Sequence, residues 1–119
     1  MAGGSPYTNR RPNLFSRTSI QKCEIWGALD NARLIGIIAF REDWIDHLYV
    51  LPNVQGQGVG TALLHIAKNA FSPLHLWTFQ RNLPARKFYE ARGFALIKET
   101  DGSTNEENEP DALYRWKRR

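Results

Sequence analysis

Cysteine is nearly absent from this chain, with Cys23 the single example in 119 residues. One cysteine excludes an internal disulfide framework, and three scattered histidines add no spacing that would hold a metal ion. Long apolar runs are missing as well. Nothing approaches the length needed to span a bilayer, and the polar start from Met1 to Arg11 lacks the apolar core of a signal peptide. A cytoplasmic protein without membrane contact is the default expectation. Repeats are lacking too, and the length suits one domain with a moderate core. Basic residues exceed acidic ones by four, yet they do not gather on one face. Arg10 and Arg11 lie near the start, Lys117 to Arg119 at the end, and Arg81, Arg86, Lys87 and Arg92 fall together in one stretch. Nucleic acid is therefore not an expected partner, and a small basic nucleic-acid binder is the minor alternative, which strongly salt-dependent binding would reveal.

The stretch from Leu48 to Gly60, LYVLPNVQGQGVG, organises the rest. An apolar run breaks at Pro52 and gives way to glycines at 56, 58 and 60. The following residues put Val59, Ala62, Leu63, Ile66, Ala67 and Ala70 at helical spacing, with Thr61, His65, Lys68 and Asn69 outward. The order is strand, glycine-rich turn, helix. A helix start has N–H groups without intrahelical partners and about half a positive charge from the macrodipole, so such a turn suits a phosphate. A tight turn without a ligand is the plainer alternative. Two nucleotide motifs fail on the residues themselves. The dinucleotide fingerprint is G-x-G-x-x-G where this chain has G-x-G-x-G, and the Gly-Lys-Ser/Thr that ends a Walker loop is absent.

The order Val50-x-Pro52-x-x-Gln55-x-x-Gly58-x-Gly60, followed by Thr61-Ala62-Leu63-Leu64, resembles the acetyl-coenzyme A motif of the GNAT superfamily of N-acetyltransferases. A second block, Asn82-x-x-Ala85-x-x-Phe88-Tyr89-Glu90-x-x-Gly93-Phe94, is similar to that family's downstream motif and lies one strand further on. The resemblance covers roughly residues 22 to 117. It implies an α/β (α+β) fold of GNAT type: a mixed, mostly antiparallel sheet with flanking helices and a splayed parallel strand pair.

The local pattern agrees. Cys23 to Ala28 and Leu34 to Phe40 read as a hairpin around Asp30-Asn31, and Glu42-Asp43 leads into a third strand from Trp44 to Leu51. Leu74 to Phe79 reads as a strand parallel to that third one, since a helical crossover separates them. Pro84 and Gly93 bracket a short helix. Phe94 to Lys98 and Ala112 to Lys117 form a closing antiparallel pair, joined by the acidic segment from Thr100 to Pro110, which reads as a solvated connection. Residues 1–20 have no sustained period and read as a flexible segment ahead of a domain over 21–119. The family's N-terminal helices are then expected to be shortened or absent.

The resemblance also implies chemistry. The acetyl group of acetyl-coenzyme A would pass to a primary amine of a small molecule or protein by direct attack in a ternary complex, with no covalent intermediate and no metal. A catalytically inactive acetyl-coenzyme A-binding module is the alternative. The cofactor-binding residues so implied are Leu48, Tyr49 and Val50 along the strand, then Gln55, Gly56, Gln57, Gly58, Val59, Gly60 and Thr61 around the turn, with Asn82 and Tyr89 beyond. Tyr89 would donate to the departing thiolate, with Phe88 beside it as the core member. Asp46 lies four residues before the motif valine, where several members carry a base. Strand parity groups it with Leu48 and Val50 and places His47 with Tyr49, so Asp46 leads, His47 requires a bulge, and water is the third candidate. An uncovered sheet edge makes a homodimer a further expectation.

Overall fold

The computed structural model describes residues 14–20 and 23–119. Two compact units divide the chain between Ala70 and Phe71.

The first unit is an antiparallel meander of four strands with one helix. Its strands are β1 (Leu14–Ile20), β2 (Cys23–Asp30), β3 (Arg33–Arg41) and β4 (Trp44–Val50), in sequence order. Asn31 and Ala32 turn β2 into β3 with φ of 52° and 68°. Positive φ at both central residues gives a hairpin turn whose twist matches the strands it joins. A 3-10 turn at Pro52–Val54 then leads to helix α1 (Val59–Ala70), which buries Val59, Leu63, Leu64 and Ala67. Those four recur every three to four residues and make one apolar stripe. The stripe meets Gly36, where an added Cβ would lie 3.0 Å from Val59 Cγ1 and 3.1 Å from Leu63 Cδ1. Through strand register, Gly36 shares its face with Ile38 and Phe40 of β3 and with Val50, Leu48 and Ile45 of β4. Ile38, Phe40 and Leu63 are fully buried, so the core of this unit is aliphatic with one phenyl ring.

The second unit contains β5 (Leu74–Phe79), helix α2 (Leu83–Ala91), β6 (Ala95–Thr100) and β7 (Asp111–Trp116), with strand order β5-β7-β6 and antiparallel pairing throughout. Leu74, Leu76 and Tyr114 are fully or almost fully buried. The register β5–β7–β6 aligns Leu76, Tyr114 and Leu96 across one face.

Three features differ from the sequence reading. Residues 1–13 of the expected flexible segment lie outside the described residues, but Leu14–Ile20 is a strand, paired in unbroken register with β2 from Leu14↔Leu29 to Ile20↔Cys23. The meander therefore has four strands rather than three. Pairing with the neighbouring strand β2 supplies order that the polar run Ser16-Arg17-Thr18-Ser19 does not signal by itself. The segment after β6 is also more than a solvated connection. Gly102, with φ of 83°, lies so close to Glu109 that an added Cβ would stand 2.3 Å from its carbonyl carbon. Asn105 Nδ2 donates to Glu109 O at 2.8 Å and to Asp111 Oδ2 at 3.1 Å, and Thr100 Oγ1 donates to Asp111 Oδ1. The third difference is a bulge in β4. Ala39 opposes His47 while Phe40 opposes Ile45, so Asp46 is an extra residue without a place in the ladder.

Candidate functional site

In the first unit the strand-turn-helix passage is built by a few local bonds. Leu51 N–H donates to Ile35 O at 2.9 Å and Val54 N–H to Leu51 O at 3.0 Å, which fixes the exit from β4. Gln55 folds back, its Nε2 donating to Val50 O at 2.9 Å, so its side chain braces the loop against the end of β4. Gly56 and Gly58 then take φ of 82° and 87°. That conformation is open to glycine and strained for other residues. A Cβ at either position would meet no atom within 4 Å, so the backbone faces open space. The Gly58 carbonyl accepts from Ala62 N–H at 2.9 Å, the first bond of α1, and no acidic side chain occupies the helix's first turn. Val59 and Gly60 N–H, at the first helical positions, have no acceptor within the helix by the geometry of any α-helix start. Gly60 is already helical, so of the three glycines only Gly56 and Gly58 use the left-handed region.

The bulge re-sorts the side chains of β4. Leu48 and Val50 lie on the face shared with Ile38 and Gly36, toward α1, while His47 and Tyr49 lie on the opposite face with Ala39 and Ile37. His47 and Tyr49 keep the grouping that strand parity gave them. Asp46 does not share the face of Leu48 and Val50 in a continuous ladder, because parity cannot be counted across an extra residue. Its carboxylate is held by Arg41, with Nε at 3.1 Å from Oδ2. Within the unit β4 ends the strand order, so only one of β4's two backbone edges is paired there, with β3.

The second unit carries the other pair of predicted residues. Asn82 caps α2, its Oδ1 accepting from Ala85 N–H at 3.2 Å, and Pro84 lies in the first turn. Tyr89 is in the last turn, about 10 Å from Asn82 along the helix axis. The expected division between the two adjacent aromatics is reversed. Tyr89 is 9% exposed and is the only buried residue of α2, while Phe88 is half-buried with the Arg92 guanidinium 3.8 Å above its ring. Phe88 and Phe94 meet the Tyr89 ring edge-on at centroid distances of 5.3 and 5.5 Å. This apolar setting pushes the Tyr89 phenol up to about 12, because burial disfavours the phenolate. Tyr89 thus stays protonated at neutral pH.

One cluster was not anticipated. Tyr114 receives a hydrogen bond from Arg86 Nε at 2.9 Å and donates to Glu90 Oε2 at 2.5 Å. Arg86 and Glu90 have the i, i+4 spacing that places them on one side of a helix, a signal available in the sequence. Their partner in β7 is not, because it lies 24 residues beyond Glu90. Among the described residues no group of three or more Asp, Glu, His or Cys could hold a metal, and no helix is long and apolar enough to cross a membrane.

A family model for the acetyltransferase (GNAT) domain matches residues 21–96. The chain belongs to the GNAT family. Curated relatives agree. The uncharacterized N-acetyltransferase YafP of Escherichia coli is 32% identical over 83 residues, covering 70% of this chain and 53% of that protein. The peptidyl-lysine N-acetyltransferase YiaC of the same organism is 29% identical over 73 residues, covering 60% and 50% respectively. This GNAT chain spans about half the length of the curated relatives it matches. Among solved structures, the PaiA N-acetyltransferase of Thermoplasma acidophilum, crystallised with coenzyme A, superposes with a TM-score of 0.68 at 24% identity, covering 82% of this chain and 62% of that one. The fold is accordingly the GNAT fold.

Proposed function

We propose that this GNAT chain transfers an acetyl group from acetyl-coenzyme A to a primary amine by direct attack. The observation that carries the reading is the turn from Gln55 to Gly60, with two glycines in the left-handed region, open space in front of them and behind them a helix start with no acidic side chain in its first turn. Backbone N–H groups and the positive end of α1 fit a pyrophosphate there. Acetyl-coenzyme A supplies a thioester, whose carbonyl becomes an oxyanion under attack.

The proposed donors to that carbonyl are backbone N–H groups of the Leu48, Tyr49 and Val50 segment, those that point to the edge of β4 that β3 does not use. A preorganised donor of this kind is worth about 3 kcal/mol of barrier. Asn82 commits its Oδ1 to the helix cap, so only its NH2 would serve the pantetheine arm. Tyr89 donates to the departing sulfur. Burial pushes that phenol up to about 12, so it holds its proton while it hydrogen-bonds the sulfur, and the amine proton leaves elsewhere. Asp46 is the proposed acceptor of that amine proton. Its pairing with Arg41 makes His47, the next residue along the bulge, the second candidate. The protein side chain named for YiaC and the unnamed acceptor of YafP leave lysine amines and small-molecule amines as the acceptor classes for an amine panel. A homodimer and a cytoplasmic location belong to the same proposal.

The test is calorimetric titration with acetyl-coenzyme A of the natural chain and of Gly58→Trp, with circular dichroism as the folding check, followed by thiol release over the amine panel. Binding that the folded variant loses supports the turn as the cradle. Absence of binding in the natural chain, or equal binding in both, overturns it.

A further inference from the structure

Helix α2 is held in an uncommon way. Tyr89 is the only one of its nine residues that is buried. One apolar anchor sets the distance of a helix from its sheet but resists rolling about the helix axis poorly.

Rolling is opposed instead by hydrogen bonds. The Tyr114 side chain is fully buried in β7, and its hydroxyl bridges Arg86 Nε and Glu90 Oε2, one helical turn apart. Arg86 extends the attachment with Nη1 to Gln80 O at 3.2 Å and Nη2 to Glu99 Oε2 at 2.9 Å. Gln80 is itself fixed, its Nε2 donating to Thr100 O at 2.8 Å and Asp111 O at 3.1 Å. The end of β5, the paired ends of β6 and β7 and one side of α2 therefore converge on one polar cluster. Tyr89 is one residue from Glu90 and three from Arg86, so fixing their side of the helix fixes its direction, since each residue turns by about 100°. A phenol oxygen roughly 9 Å from the helix axis would move about 3 Å for a roll of about 20°.

We propose that the Tyr114 hydroxyl is a positioning group for Tyr89: by bridging Arg86 and Glu90 it sets the rotation of α2, and with it the point from which Tyr89 donates to the departing sulfur. This rests on the donor role given to Tyr89 above. A misplacement of about 1 Å at a reacting centre can cost about a hundredfold in rate, so a small roll suffices.

The experiment is a double-mutant cycle of Tyr114→Phe and Tyr89→Phe, reading kcat for acetyl transfer to one amine, the acetyl-coenzyme A dissociation constant by calorimetry, and urea unfolding. Tyr114→Phe keeps the buried ring, and Arg86 keeps Gln80 and Glu99. The expected result is a kcat about tenfold lower or more, with affinity within about twofold, and no further loss when Tyr114→Phe is added to Tyr89→Phe. Glu90→Ala, a change at an exposed position, should reproduce the loss, and Glu90→Gln, which keeps an accepting oxygen, should restore most of the rate. The Glu90 pair decides the question if Tyr114→Phe does not fold. An equal loss from Tyr114→Phe in both backgrounds, or no loss in the natural background, overturns the proposal while leaving the Tyr89 assignment standing. A Tyr89→Phe chain with undiminished kcat overturns the assignment itself.

Discussion

The two helices of this chain are fixed by opposite means. Helix α1 presents Val59, Leu63, Leu64 and Ala67 to a face built from Gly36, Ile38 and Phe40, and its attachment is a matter of apolar area and close fit. Helix α2 buries Tyr89 alone, is capped by Asn82, and is tied to its sheet by Arg86 and Glu90. Area is tolerant of small rotations, whereas directed bonds are not. The glycine turn needs only a firm support, which α1 gives. The donor proposed at Tyr89 would have to arrive at a point, and directed bonds on α2 suit that demand. The same contrast predicts where each half is fragile.

The largest expected effect lies in the aliphatic half. Leu63→Ala deletes a fully buried side chain between α1 and β3, and should cost about 3 kcal/mol in urea unfolding through lost transfer energy and a residual cavity. A cost below about 1 kcal/mol would mean that α1 is not held by this stripe.

Next in size is a pH effect confined to the other half. Burial raises the folded-state phenol of Tyr89 to about 12, above an unfolded value near 10. The native state then holds its proton more tightly, so the stabilisation is complete below about pH 10 and is lost as pH rises toward about 12, with up to about 3 kcal/mol at stake. Tyr89→Phe should flatten that part of the stability profile. Burial and the bond to Glu90 also raise the Tyr114 phenol, so the difference between natural chain and variant is the quantity to read. An unchanged slope would show that Tyr89 is not in an apolar setting.

The smallest is the cap. Asn82→Ala removes the acceptor for Ala85 N–H and should destabilise by about 1 kcal/mol, with Asn82→Asp near neutral because an oxygen remains. A null result for the alanine variant would transfer the whole burden of holding α2 to Arg86 and Glu90.

Sequence pattern found what is local. Helix α1, the glycine turn, the hairpin from β2 to β3 and the Pro84-to-Gly93 helix all follow from periods and turn residues within a dozen positions, and the two motifs carry the family. What escaped depends on partners in another element. β1 is ordered by β2 rather than by its own Ser and Thr. The choice between Phe88 and Tyr89 depends on which way α2 is rolled, and that is set by Tyr114 in another strand. The extra residue at Asp46 leaves no mark in a period-two count until its partner strand is known. The resemblance named Tyr89 from spacing, and the structure adds the aromatic surroundings of its ring, which spacing cannot convey.

That extra residue also makes β4 a strand with slack. Register errors that begin in the turn around Glu42 can be absorbed at Asp46, because one more or one fewer residue there changes the size of the bulge and not the seating of Leu48 on Ile38 or of Val50 on Gly36. The bulge thus separates the loop side of β4 from Leu48, Tyr49 and Val50, whose register with β3 is unbroken.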